Sequence, residues 1–188
     1  MIIIGIVGDI GSGKSYVAKQ FGYPVFNADY EVNKIYKSSK YCFRKLKHKI
    51  PKYIKSFPVN KTELMNAILA NKKNIYKISQ IVHPLVRKQM NLFLFKNKKK
   101  KFVILDIPLL LENKINNKSD ILVFVESRKE DIEKRIKKRV NFNRRLFNKF
   151  KKIQYSKNYK KRKSDFIIKN DFTKKTVKKG ISNILDKI

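Results

Sequence analysis

The sequence predicts an α/β protein, a parallel sheet covered by helices on both faces. Three observations predict it. Five short apolar runs, at residues 2–7, 23–26, 102–106, 121–125 and 166–168, alternate with helical stretches. Such alternation calls for parallel pairing, because each crossover returns along a face of the sheet. The first run ends in a glycine loop that fits a phosphate-binding pattern. No repeat or linker divides the 188 residues, a length that suits one domain with a real core.

The loop is Gly8-Asp9-Ile10-Gly11-Ser12-Gly13-Lys14-Ser15, which matches G-x-x-x-x-G-K-[ST] without a gap. A strand before it and a helix from Tyr16 after it are the context this motif demands. Its glycines let successive N–H groups turn inward around a phosphate, helped by the positive end of the helix. Lys14 supplies a mobile charge for β- and γ-phosphates, and Ser15 a hydroxyl for Mg²⁺.

The second strand ends in Asn27-Ala28-Asp29. Asp29 falls where a parallel strand meets the ligand crevice, or it caps the next helix. Residues 30–36 have helical character, whereas 41–57 mix aromatics and lysines between breakers and give no clear period. Asn60-Lys61-Thr62-Glu63 opens a helix in capping fashion. Another helix spans about 75–95, with a break or kink expected at His83-Pro84. His83 and Arg87 share a face if that helix is continuous; His83 could equally be a capping or core histidine.

The third strand ends in Asp106, placed like the second acidic motif that holds Mg²⁺ in phosphate-loop enzymes, or like an acid bonded to a helix N-terminus. Pro108-Leu109-Leu110-Leu111-Glu112 reads as a turn and short helix. After the fourth strand come a charged helix at 130–140, a basic helix at 149–163, the last strand and a closing helix at 174–188. Arg135, Arg139, Arg144 and Arg145 cluster where most bases are lysine; they suit either a segment closing over phosphates or a solvated basic helix. Asn117-Lys118-Ser119-Asp120 spells a base-recognition motif of GTPases, but it precedes a strand instead of following one, and a chance match is the better account.

Composition narrows the class. One cysteine, Cys42, excludes an internal disulfide and suits a reducing compartment. The N-terminal run lacks the flanks of a signal peptide, and no apolar run approaches the roughly 20 residues needed to span a bilayer, so a cytoplasmic location and no membrane partner are expected. Net charge is +33, from 47 Lys+Arg against 14 Asp+Glu. The excess is mostly lysine spread along the whole chain with many Asn and Ile residues, which reads as compositional bias and not as a specific nucleic-acid surface.

These motifs together resemble the dephospho-coenzyme A kinase family nearly end to end. The opening strand and loop are similar to its T-G-G-I-G-S-G-K-S segment, with Asp9 in place of a glycine. Asn27-Ala28-Asp29 resembles D-A-D, Ile81-Val82-His83-Pro84-Leu85-Val86-Arg87 resembles I-x-H-P-x-I-R, and Asp106-Ile107-Pro108-Leu109-Leu110-Leu111-Glu112 resembles D-x-P-L-L-F-E. Arg135, Arg139, Arg144, Gln154, Lys160, Asp165 and Asn170 reproduce the spacing of its C-terminal half. The chain departs at Asn27, at Asn33 where an arginine is usual, in a missing G-x-I-D-R segment between Pro51 and Lys61, and in the absent glycine after Asn170.

The resemblance implies a three-layer phosphate-loop NTPase fold over residues 1–188, with a helical substrate-binding insertion at about 30–98 and a lid at about 139–160. It implies transfer of the ATP γ-phosphoryl group to the ribose 3′-hydroxyl of dephospho-coenzyme A. Asp29, Lys14 and Arg144 would be catalytic. ATP would contact residues 8–15, Tyr16, Arg139 and Arg144. The acceptor would contact Asp29, His83, Arg87, Asp106, Pro108, Leu109 and Glu112, and Mg²⁺ would contact Ser15 and Asp106. A monomer or weak oligomer is expected. The rivals are another small nucleotide or nucleoside kinase and a nucleic-acid-binding protein switched by ATP.

Overall fold

The structure, a computed structural model, describes residues 1–138 and 142–188. The chain runs β1 (Ile2–Gly8), α1 (Lys14–Gln20), β2 (Val25–Asn27), α2 (Ala28–Ser38), α3 (Lys40–Lys49), α4 (Lys61–Ala70), α5 (Lys72–Lys96), β3 (Phe102–Asp106) and β4 (Ile121–Glu126). It continues through α6 (Lys129–Lys137), α7 (Arg144–Ile153), α8 (Lys157–Arg162), β5 (Phe166–Lys169) and α9 (Lys174–Leu185). Residues 1–27 and 97–188 form one compact unit, and residues 28–96 form another.

The first unit is built on a five-stranded sheet of order β2-β3-β1-β4-β5, with every pairing parallel. Its strands are apolar on both faces, as burial on both sides requires; all five residues of β3 are buried. Ile4, Ile6, Ile104, Val123 and Ile168 pack with Val17 and Ala18 of α1 and with Val177, Ile181 and Ile184 of α9. The four- and three-residue steps along α9 give it one inward stripe. Tyr23 meets Phe102 edge-on, ring centroids 5.0 Å apart.

The second unit is helical. Its core holds Cys42 and Leu46 of α3, Ile50 and Ile54 beyond it, Leu64 and Ala67 of α4, and Ile78 and Val82 of α5. Ser39 caps α3, accepting from the Cys42 N–H, and Asn60 caps α4, accepting from the Thr62 N–H. Burial pushes the Cys42 thiol up to about 11, which keeps it protonated and inert.

Three local expectations are corrected. Of the break or kink expected at His83-Pro84, the break does not occur: α5 is continuous, with Pro84 inside it. An interior proline costs about 3 kcal/mol, and burial of Ile78, Val82 and Met90 along the same helix offsets that cost. The basic stretch at 149–163 is two helices, not one. Ser156 caps α8 by accepting from the Tyr159 N–H, and Glu112 takes the Tyr155 N–H at 2.8 Å, so the chain breaks after Ile153. Residues 108–112 form turns with no helix, and Leu109 stands in the left-handed region at φ 58°. Asn117 and Asp120 close a turn on each other in front of β4, the Asp120 carboxylate accepting from the Asn117 N–H at 2.9 Å. That acid is spent on its own loop, as a chance motif would be. None of the described helices is long and apolar enough to cross a membrane.

Candidate active site

The sheet order places β1 between β3 and β4, with the chain crossing to one side for β2 and β3 and to the other for β4 and β5. The carboxyl end of β1 is therefore the switch point, where open α/β sheets hold their ligands. The loop at residues 8–15 leaves β1 there and enters α1. Gly13 precedes α1 at φ 88°, and a Cβ on it would run into the Asn170 side-chain amide. Only glycine meets both conditions.

The loop is anchored from the ends of β4 and β5. The Ser12 carbonyl accepts from Ser127 Oγ at 2.9 Å and from Asn170 Nδ2 at 2.8 Å. Asn170 is buried, and its own N–H donates to the Glu126 carbonyl at 2.7 Å. Phe172, two residues on, adopts φ 65°, a left-handed turn next to the position where a glycine was missed. The Arg135 guanidinium stacks on its ring, 4.3 Å from the centroid. Nothing in the sequence pointed to Ser127, and Asn170 stood out only through the family spacing.

Lys14 Nζ donates to the Gly8 carbonyl at 3.1 Å and the Asp9 carbonyl at 2.9 Å, folding back over its own loop. The Ser12 hydroxyl is buried and has no hydrogen-bond partner. A buried donor without a partner is costly, and a phosphate oxygen is the acceptor this loop is shaped to receive. The loop therefore fits a nucleotide polyphosphate. Ile10 is half-buried, Ser15 is exposed on the first turn of α1, and Tyr16 packs its ring on the core.

Asp106, at the end of β3, is buried and lies in register with Asn27 of β2. Asn27 Nδ2 donates to Asp106 Oδ2. The neutral amide donates to the carboxylate and sets no second charge beside it. Among the described residues no cluster of three His, Cys, Asp or Glu side chains could hold a metal. One hydroxyl and one carboxylate are instead the sparse donor set that suits Mg²⁺ arriving with phosphates. Leu109 and Glu112 line a small cavity with Gly8 and Lys14, while Pro108 is exposed.

Asp29, His83 and Arg87 belong to the helical unit. Asp29 is the second residue of α2, within its first turn and past the cap position. His83 and Arg87 lie one turn apart on continuous α5. Desolvation and then the Arg87 charge hold the His83 imidazole below its usual range. Arg144 is exposed at the start of α7. Arg139 lies outside the described residues.

A family model described as dephospho-CoA kinase matches residues 2–176. A dephospho-CoA kinase of Wolbachia pipientis wMel is 32% identical over 192 residues, covering 100% of this chain and 98% of that one. One of Bartonella henselae is 34% identical over 173 residues, covering 89% and 88%. Among solved structures, TT1252 from Thermus thermophilus aligns over 100% of this chain and 97% of its own, with TM-score 0.78 and 24% identity. Dephospho-CoA kinase from Campylobacter jejuni aligns over 98% and 96%, with TM-score 0.63 and 21% identity. These two establish a shared fold.

Proposed function

Since the chain belongs to the dephospho-CoA kinase family, and is a kinase, we propose that it transfers the γ-phosphoryl group of ATP to the ribose 3′-hydroxyl of dephospho-CoA. The products are coenzyme A and ADP, and the reaction is the last step of coenzyme A synthesis. The observation that carries the ATP half is the anchored loop, with the unpartnered Ser12 hydroxyl and Lys14 folded onto its carbonyls.

The residues act as follows. Lys14 leaves the Gly8 and Asp9 carbonyls for the β- and γ-phosphates, and the Ser12 hydroxyl and the loop N–H groups donate to the same oxygens. Ser15 and Asp106 would hold Mg²⁺, which supplies neutralisation of the phosphate charge. Asp29 orients the acceptor hydroxyl and takes its proton as the new O–P bond forms and the bond to the ADP oxygen breaks. Arg139 and Arg144 close over the phosphates where charge spreads in the transition state. His83, Arg87, Pro108, Leu109 and Glu112 bind dephospho-CoA. The same reading takes the chain to act as a monomer or weak oligomer in the cytoplasm.

The test is ADP release from Mg·ATP with dephospho-CoA, nucleoside monophosphates and shikimate offered in turn. The proposal expects turnover with dephospho-CoA alone; equal or better turnover of another acceptor contradicts it. Asp29→Ala is expected to lower kcat on the order of 10² or more while leaving the KM for ATP little changed. Near-normal turnover by that variant would remove Asp29 from the role of base.

A further inference from the structure

We propose that Lys160 is a second phosphate-binding lysine of this site and that Asp9 is the residue that positions it; this rests on ATP being the ligand of the loop. Lysine is almost never fully buried unless paired, yet the Lys160 side chain is only 2% exposed. Its ammonium bonds the carboxylate of Asp9, the second residue of the glycine loop. The neighbours of Lys160 on α8 show the ordinary alternative. Lys157 and Lys161 reach Glu126 while staying 46% and 40% exposed.

The position of the buried ammonium is informative. Lys14 Nζ sits on the Asp9 carbonyl at 2.9 Å while Lys160 sits on the Asp9 side chain, so two cations converge on one residue. Lys160 also lines the cavity with Gly8, Lys14 and Leu109. An ion pair whose lysine is buried is a weak device for stability, because desolvating that ammonium consumes much of the Coulombic gain, while Asp9 stays 35% exposed. Two ammonium groups facing one cavity beside the glycine loop suit a polyanion, and the terminal phosphates of the nucleotide are the polyanion this loop takes.

Titration calorimetry with Mg·ADP on the full chain tests this without any acceptor. Lys160→Met is expected to weaken Mg·ADP roughly tenfold or more, the scale of one charged hydrogen bond. Lys160→Arg keeps the charge and is expected to stay within about threefold of the parent chain. Because Lys160→Met alone strands the Asp9 carboxylate, the double variant Asp9→Asn with Lys160→Met is made as well. It leaves no unpaired charge, so its Tm should stay near the parent's while its Mg·ADP affinity falls as in Lys160→Met. If the double variant binds Mg·ADP as tightly as the parent, or Lys160→Arg binds as weakly as Lys160→Met, the pair is structural and the proposal is overturned. A parent chain that binds Mg·ADP but does not phosphorylate dephospho-CoA would sink the acceptor assignment and leave this one standing.

Discussion

Gly13 joins the loop to its helix under two constraints at once. Its φ of 88° costs an L side chain about 1–2 kcal/mol, and a Cβ there would displace the Asn170 amide that holds the Ser12 carbonyl. Gly13→Ala is expected to leave helical content intact and to weaken Mg·ADP at least tenfold in a calorimetric titration. Asn27 carries a second constraint, since its amide donates to buried Asp106. Asn27→Asp sets two carboxylates against each other, which raises the folded-state pKa of one of them. A raised carboxyl pKa means stability is lost as pH rises through it. The variant's Tm should thus lie below the parent's at neutral pH and close part of the gap as the buffer is acidified. The loop residues were legible because the motif is local and fixes their spacing. The Asn27–Asp106 pair was not, because it joins strands 79 residues apart in sequence.

At the scale of elements, the strands were read nearly to the residue, since short buried runs stand out in so polar a chain. α3 was not. Cys42, Leu46, Ile50 and Ile54 do recur every four residues and all are buried, but lysines, His48 and exposed aromatics obscure the stripe. Pro84 misled in the opposite direction, because the burial that carries α5 through the proline is tertiary. The split between α7 and α8 depends on Glu112, 43 residues away, accepting from the Tyr155 N–H. α5 also carries a pH-dependent term. His83 titrates below its usual range, so the folded state favours the neutral ring, and stability falls as pH drops through about 6.5 toward the folded value. His83→Gln should flatten the Tm-against-pH curve over that interval, modestly because the residue keeps contact with solvent and is only partly desolvated. An unchanged slope would contradict it.

For the whole molecule, strand number and parallel pairing followed from alternation, whereas the order β2-β3-β1-β4-β5 did not. Strand order is set by which crossovers bury both sheet faces, and no local pattern encodes it. The candidate site divides in the same way. The loop, Asp106 and the Pro108–Glu112 turn belong to the sheet unit and were singled out by motif, while Ser127 and Asn170, which hold the loop by the Ser12 carbonyl, follow β4 and β5. The charge of +33 is a property of the entire surface. It predicts weak, salt-sensitive retention on nucleic acid, with none of the tight binding that the switch-protein rival requires.

The most direct test is the structure of the product. The chain is incubated with Mg·ATP and dephospho-CoA, and the product is followed by phosphorus and proton NMR. The account predicts one new phosphomonoester, coupled to the proton on the ribose 3′ carbon, appearing in step with ADP. A phosphate on any other oxygen, or ADP released with dephospho-CoA unchanged, would contradict it.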